Sequence, residues 1–296
     1  MNRIPKLFLV LLASAALAAS MSFAADVRVL KLGILSKLNT TEQEFAETWK
    51  KTFAPNNEAL EVNVRFYDSL TAMQMALSAG EISQMVLPEA AANYLLSHNP
   101  EYEATLTLRS KSAYGLSFGF REDNTALKDR FDEALAALRR NWRLGTLEGI
   151  YIASSGAADP EPVRFEKFEG AETLRVAVTG DLPPIDFIAA DGTPAGFNTA
   201  VLAEIGNVLK MNVELVNVDA GARTAALASG RVDAVFWYEV DTSADTQPDV
   251  PEGVILSQTY YDWNNFLHIK KSQRTGGSSS SGWDVNKSIW DMFWSM

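Results

Sequence analysis

A strand, a capped helix, a second strand, an Ala/Leu-rich helix closed by glycine and a third strand occur twice in this chain. That repeat limits the fold more than any other feature. In the first half, Val27 to Leu35 (VRVLKLGIL) reads as a buried parallel strand. Asn39, Thr40 and Thr41 are candidate N-caps, and Thr41-Glu42-Gln43-Glu44 has the form of a capping box. Phe45, Trp49 and Phe53 follow at helical spacing. Leu60 to Tyr67 predicts a second strand, Ser69 to Ser78 a helix ended by Gly80, and Ile82 to Leu87 a third strand. In the second half, strands are expected at Leu174 to Val178, Val213 to Val218 and Val232 to Trp237. Helices are expected at Asn198 to Leu209 and Ala222 to Ser229, the latter ended by Gly230. The best internal match sets LSAGEI (Leu77 to Ile82) against ASGRVDAV (Ala228 to Val235). Strands alternating with helices imply two α/β lobes with parallel sheets. Two such lobes imply a cleft, the usual seat of a small ligand.

Composition narrows the function. The chain of 296 residues has no cysteine, two histidines and a formal charge of −11. The missing cysteine excludes disulfides, thiol nucleophiles and thiolate metal sites. His98 and His268 are too few for a histidine-rich metal centre, and neither a metal nor a cofactor is expected. The acidic balance argues against nucleic acid or an anionic membrane as partner. No H-E-x-x-H motif and no cysteine nucleophile occurs, and the chain is read as a binding protein and not an enzyme.

The N-terminus predicts export. Arg3 and Lys6 precede the apolar run Leu7 to Ala19, and Ser22-Phe23-Ala24 fits a cleavage site before Ala25. The run is shorter than the roughly 20 residues of a spanning helix. Removing this signal takes the charge from −11 to −13. A periplasmic protein, not embedded in the membrane, is expected.

Several segments carry a family resemblance. LPPIDFIAADGTPAGFNTAVLAEIG (Leu182 to Gly206), ALASGRVDAVFW (Ala226 to Trp237) and SQTYYDWNNFLHIKK (Ser257 to Lys271) resemble the first lobe of the periplasmic solute-binding proteins of polar amino-acid ABC importers. KLGILSKLNTTEQEF (Lys31 to Phe45), EAAANYLLSHNPEYE (Glu89 to Glu103) and YGLSFGFREDNTALKDRFDEALAALRRNW (Tyr114 to Trp142) resemble that family's second lobe, return crossing and C-terminal helices. The resemblance implies a two-lobed α/β fold of the type II periplasmic-binding-protein class, with a ligand cleft between the lobes. It also implies a circularly permuted order. A signal peptide covers 1–24, a second-lobe-like domain with the return crossing 25–121, and C-terminal-type helices 122–152. A linker covers 153–171, a first-lobe-like domain 172–271, and a flexible tail with a Trp-rich end 272–296. The 19-residue linker could reach about 60 Å, enough to join the old ends. Two half-domains that pair between chains would be the other arrangement. The tail reads as a docking helix, a partner-binding peptide or a disordered end.

The candidate site departs from the family. The loop that resembles the family's carboxylate-binding loop, Tyr238 to Gly253, has acidic residues and no arginine. Pro88, followed by Glu89, stands where the family's ammonium-binding aspartate is expected, and Asn198 stands where an aspartate is typical. The residues expected to line the site are Thr40, Thr41, Glu89, Asp181, Phe187, Trp237, Tyr238 and Glu239. Carboxylates and aromatic rings suit a cationic or ring-bearing ligand, and the two threonines offer hydroxyls at a helix start. Arg223, at the start of a helix, reads as structural. Asp241, Ser243, Asp245, Gln247, Asp249 and Glu252 have the spacing of a calcium loop, but Thr246 and Pro248 break the pattern. The expected function is capture of a small polar or cationic molecule for an ABC permease or a sensor. The alternatives are a degenerate relative acting through protein contacts, or a periplasmic enzyme of the same fold.

Overall fold

The computed structural model of the protein describes residues 28–36, 40–154, 156, 158–241 and 250–272. The signal-peptide reading, the Trp-rich tail and most of the acidic loop 241–252 lie outside the described residues.

The first half folds as β1 (Arg28–Leu35), α1 (Glu42–Phe53), β2 (Leu60–Tyr67), α2 (Leu70–Ala79), β3 (Gln84–Pro88) and α3 (Glu89–His98). The long strand β4 (Tyr102–Arg121) leads to α4 (Thr125–Arg140) and α5 (Arg143–Glu148). The second half begins with β5 (Thr173–Val178) and the short strands β6 (Asp181–Leu182), β7 (Asp186–Ile188) and β8 (Pro194–Ala195). Then come α6 (Phe197–Leu209), β9 (Asn212–Asn217), α7 (Arg223–Ala228), β10 (Ala234–Asp241), β11 (Val254–Leu256) and β12 (Tyr261–Lys271).

Local chemistry explains the helix ends. Thr41 accepts from the Glu44 N–H while the Glu44 carboxylate accepts from the Thr41 N–H, closing the capping box. Ser69 caps α2 by accepting from the Ala72 N–H, and Gly80 ends it at φ +75°. Gly230 sits at φ +70° just beyond α7, so the matched glycines occupy the same left-handed turn in both halves, where a Cβ would be strained.

The large sheet runs β2-β1-β3-β12-β4-β10-β5-β9, with β11 also paired to β4. It resolves into two lobes with one strand order. The first is β2-β1-β3-β12-β4; the second is β9-β5-β10-β4-β11. In each, the first three strands pair in parallel and the fourth is an antiparallel visitor from the other half of the chain. Strand β4 is shared: Tyr102–Arg109 pairs with β12 in the first lobe, while Ser117 and Gly119 pair with β10 in the second. The two lobes are therefore joined by a pair of antiparallel crossing strands. One apolar core runs through both lobes and includes Phe118, Phe131, Phe197 and Phe236. A smaller cluster lies under α1.

The segment 153–171 touches both lobes. Tyr94 on α3 donates to Asp159 Oδ1 at 2.6 Å, and the Val163 N–H donates to the Pro194 carbonyl at 2.8 Å.

Candidate ligand cleft

A cavity of about 200 Å³ opens between the lobes and is walled by both. The first lobe contributes Ser36 after β1, Tyr67 and Asp68 after β2, and Pro88 at the end of β3. The second contributes Thr179, Asp181, Arg223 and Glu239. Trp263 and Phe266, on the crossing strand β12, line its floor. Strand ends and the loops after them meet there because the parallel strands of both lobes point towards the cleft, the usual ligand position in open α/β sheets.

The lobes meet across the cleft at two places. Asp181, in the second lobe, accepts from the Leu70 N–H at 2.8 Å, at the start of α2 in the first. Asp68 accepts from the Ser36 hydroxyl at 2.7 Å, and a Cβ on Gly221 would lie 3.4 Å from its other oxygen. Burial pushes the Asp181 carboxyl above its usual range, and the negative charge of Asp186 adds to this against the pull of the helix-start amides.

Behind Asp181 lies the fully buried Asp186. It accepts from the Thr179 N–H and hydroxyl and from the Gly180 N–H, at 2.8 to 3.2 Å. Burial raises its pKa; those bonds and the nearby Arg223 charge oppose the rise. Arg223 donates to the carbonyls of Ala220 and Phe236. It thus holds its loop as the sequence suggests and also forms part of the cavity wall.

The eight sequence-predicted residues fall in different places. Asp181 and Glu239 both line the cavity, and Glu239 accepts from the Trp263 indole N–H at 3.1 Å. Thr41 spends its hydroxyl within the capping box, and neither it nor Thr40 lines the cavity. Glu89 is exposed at the start of α3 and accepts from the Asn265 amide at 2.8 Å, beside the cavity-lining Pro88. Phe187, on β7, lies 6.4 Å from the Tyr94 ring, where the second lobe meets α3 of the first. The side chains of Trp237 and Tyr238 lie outside the description. Asn198 is fully buried and accepts from the Tyr260 hydroxyl at 3.0 Å. An aspartate there would place an uncompensated charge in the core near Asp186, which accounts for the amide. Among the described residues no cluster of three or more His, Asp or Glu could hold a metal ion.

Sequence reasoning did not single out Ser36, Asp68 or Tyr67, nor the role of the α1 face. Phe45, Trp49 and Phe53 line the apolar end of the cavity together with Val86 and Leu108. Their helical spacing was legible, but an i, i+4, i+8 aromatic row is equally the mark of a core face.

An α/β protein with two lobes of one topology and a solute-sized cleft between them belongs to the binding-protein class of folds. Residues 174–274 match the sequence model of the bacterial extracellular solute-binding proteins, family 3. No curated protein matches the chain. Among solved structures it is similar to the ligand-binding component of an ABC-type import system from Staphylococcus aureus, with zinc bound. That match has 10% identity and a TM-score of 0.45, over 82% of this chain and 66% of the other. It is also similar to the alkanesulfonate-binding protein SsuA of Xanthomonas axonopodis pv. citri, bound to MOPS (8% identity, TM-score 0.41, 85% and 68% covered). A third similarity is to the methionine-binding protein MetQ (13% identity, TM-score 0.41, 82% and 83% covered). Among the described residues no helix is long and apolar enough to cross a membrane.

Proposed function

We propose that the protein captures a small polar or cationic molecule between its lobes and presents it to an ABC permease or a sensor. The observation that carries this reading is the cavity itself, walled by Ser36, Tyr67 and Asp68 from one lobe and by Thr179, Asp181 and Glu239 from the other. A ligand held by both walls favours the closed arrangement, so binding and lobe closure are one equilibrium. Export to the periplasm through the 1–24 signal belongs to the same reading, as does binding without catalysis. The permuted lobe order is supported by the match of 174–274, in the second half of the chain, to the family. The packing of α4 and α5 against α6 of that same lobe agrees with it.

The test combines thermal melts with small-angle scattering across amino acids, polyamines, betaines, nucleosides and small sugars. A true ligand at a hundred times its dissociation constant adds about 2.7 kcal/mol to the folded state. The expected result is a rise of a few degrees in Tm together with compaction. Absence of both across the panel overturns the reading.

A further inference from the structure

The two ends of the cleft differ in chemistry, and that difference bears on what the cleft takes. At one end, among the described residues, Asp68, Asp181 and Glu239 face a single cation, Arg223. The Arg223 guanidinium is directed to two backbone carbonyls, with Asp186 nearby. The balance of these described side chains is negative. The other end runs beneath α1, between Phe45, Trp49, Phe53, Val86, Leu108 and Phe266.

Within this apolar end, Trp49 is 7% exposed, and its indole N–H has no hydrogen-bond partner. Buried donors are normally satisfied, since leaving one unpaired costs on the order of 1–3 kcal/mol. An unpaired donor on a residue of the cavity wall points to an acceptor on whatever fills the cavity.

Resting on the capture reading above, we propose that the cleft takes an organic ammonium ion with an aromatic or branched hydrocarbon arm that bears a hydrogen-bond acceptor. The arm lies under α1, its acceptor meets the Trp49 N–H, and the ammonium sits between Asp68 and Asp181. Both carboxylates keep acceptor capacity beyond the bonds they already make. Rings around a cation's hydrocarbon arm add cation–π attraction to burial. An anionic analogue would set its charge against three carboxylates.

The experiment is calorimetry on the full chain with phenethylamine, 4-methoxyphenethylamine, phenylacetate, glutamine and spermidine. The methoxy amine should bind about 3- to 10-fold more tightly than phenethylamine, one hydrogen bond's worth. Phenylacetate should be at least about 100-fold weaker than phenethylamine, the cost of charge repulsion and an unpaired anion. Trp49→Phe keeps an aromatic ring but removes the N–H, so it should lower the affinity for the methoxy amine more than that for phenethylamine and erase the methoxy advantage. Asp68→Asn should weaken both amines at least about 10-fold. Phenylacetate binding as tightly as phenethylamine overturns the proposal. So does an equal loss for both amines in Trp49→Phe. Tight binding of glutamine or spermidine with no arylalkylamine binding overturns it and leaves capture of a polar solute standing. No binding by any of the five overturns it along with the cationic form of the capture reading.

Discussion

In the first lobe, the helix that follows the opening strand buries only Ala46 and Trp49 of its 12 residues. In the second, the corresponding helix buries eight of 13. The strand orders match, so the contrast comes from what covers each helix. α6 lies against α4 and α5, and its start meets the buried Tyr260. α1 packs over its own sheet, and its aromatic face also lines the cavity. The lobes also differ just ahead of these helices. The second inserts the small β6–β8 sheet, organised by Asp186, before α6; among the described residues the first has no strand between β1 and α1. One topology used twice thus yields a polar wall on one side and an apolar recess on the other. Strand order settles where a cleft lies, and local packing settles its chemistry.

Perturbing each lobe in turn sharpens this contrast. The largest expected effect is in the second lobe. Asp186→Ala strands three donors and removes the charge behind Arg223, and should cost about 3–5 kcal/mol in denaturant unfolding. Asp186→Asn, which keeps one acceptor oxygen, should cost less. Equal, negligible losses for both would show that the β6–β8 loop is held by something else.

The next effect belongs to the first lobe and is read by pH. His268 is fully buried, its Nδ1 lies 2.7 Å from Gln84 Oε1, and burial lowers its pKa to about 4. Below its ordinary value near 6.5 the unfolded chain binds a proton that the folded chain refuses. Stability should therefore fall as pH drops from about 6.5 to about 4, by roughly 3 kcal/mol at the lower end. The raised carboxyls Asp181 and Asp186 act with the opposite sign, since the folded state holds their protons more tightly and loses ground as pH rises through their titration. Comparing wild type with His268→Gln across this range isolates the histidine. An unchanged slope in the variant would remove it as the cause.

The smallest effect tests the cap. Thr41→Ala breaks the capping box of α1 and should cost about 1 kcal/mol. Because Thr41 stands outside the cavity wall, ligand affinity should change less than about twofold. A tenfold loss of affinity would instead place that hydroxyl in the site.

Much of the fold was readable before any coordinates. Thr41–Glu44, Ser69 and the glycines at 80 and 230 mark helix ends through local hydrogen bonding and backbone sterics, which need only neighbours in sequence. The β-branched runs mark strands to within two or three residues, with β10 continuing past its expected end. The candidate site was less legible. Asp181 and Glu239 stand out as charges beside apolar strands, and the structure brings them to one cavity. Thr40 and Thr41 looked equally suited to the site, yet the hydroxyl of Thr41 is consumed by its own helix.

By itself, the sequence determined two α/β halves, their helix caps, the absence of thiol chemistry and the second half's match to a solute-binding family model, because each depends on local pattern or composition. Only the tertiary structure decided that β4 and β12 exchange between lobes, that Asp181 reaches the start of α2, and that Trp49 faces a cavity with its N–H unpaired. Each of these joins residues far apart in the chain. Which polar groups find partners in a shared interior depends on three-dimensional packing, and no one-dimensional spacing records it.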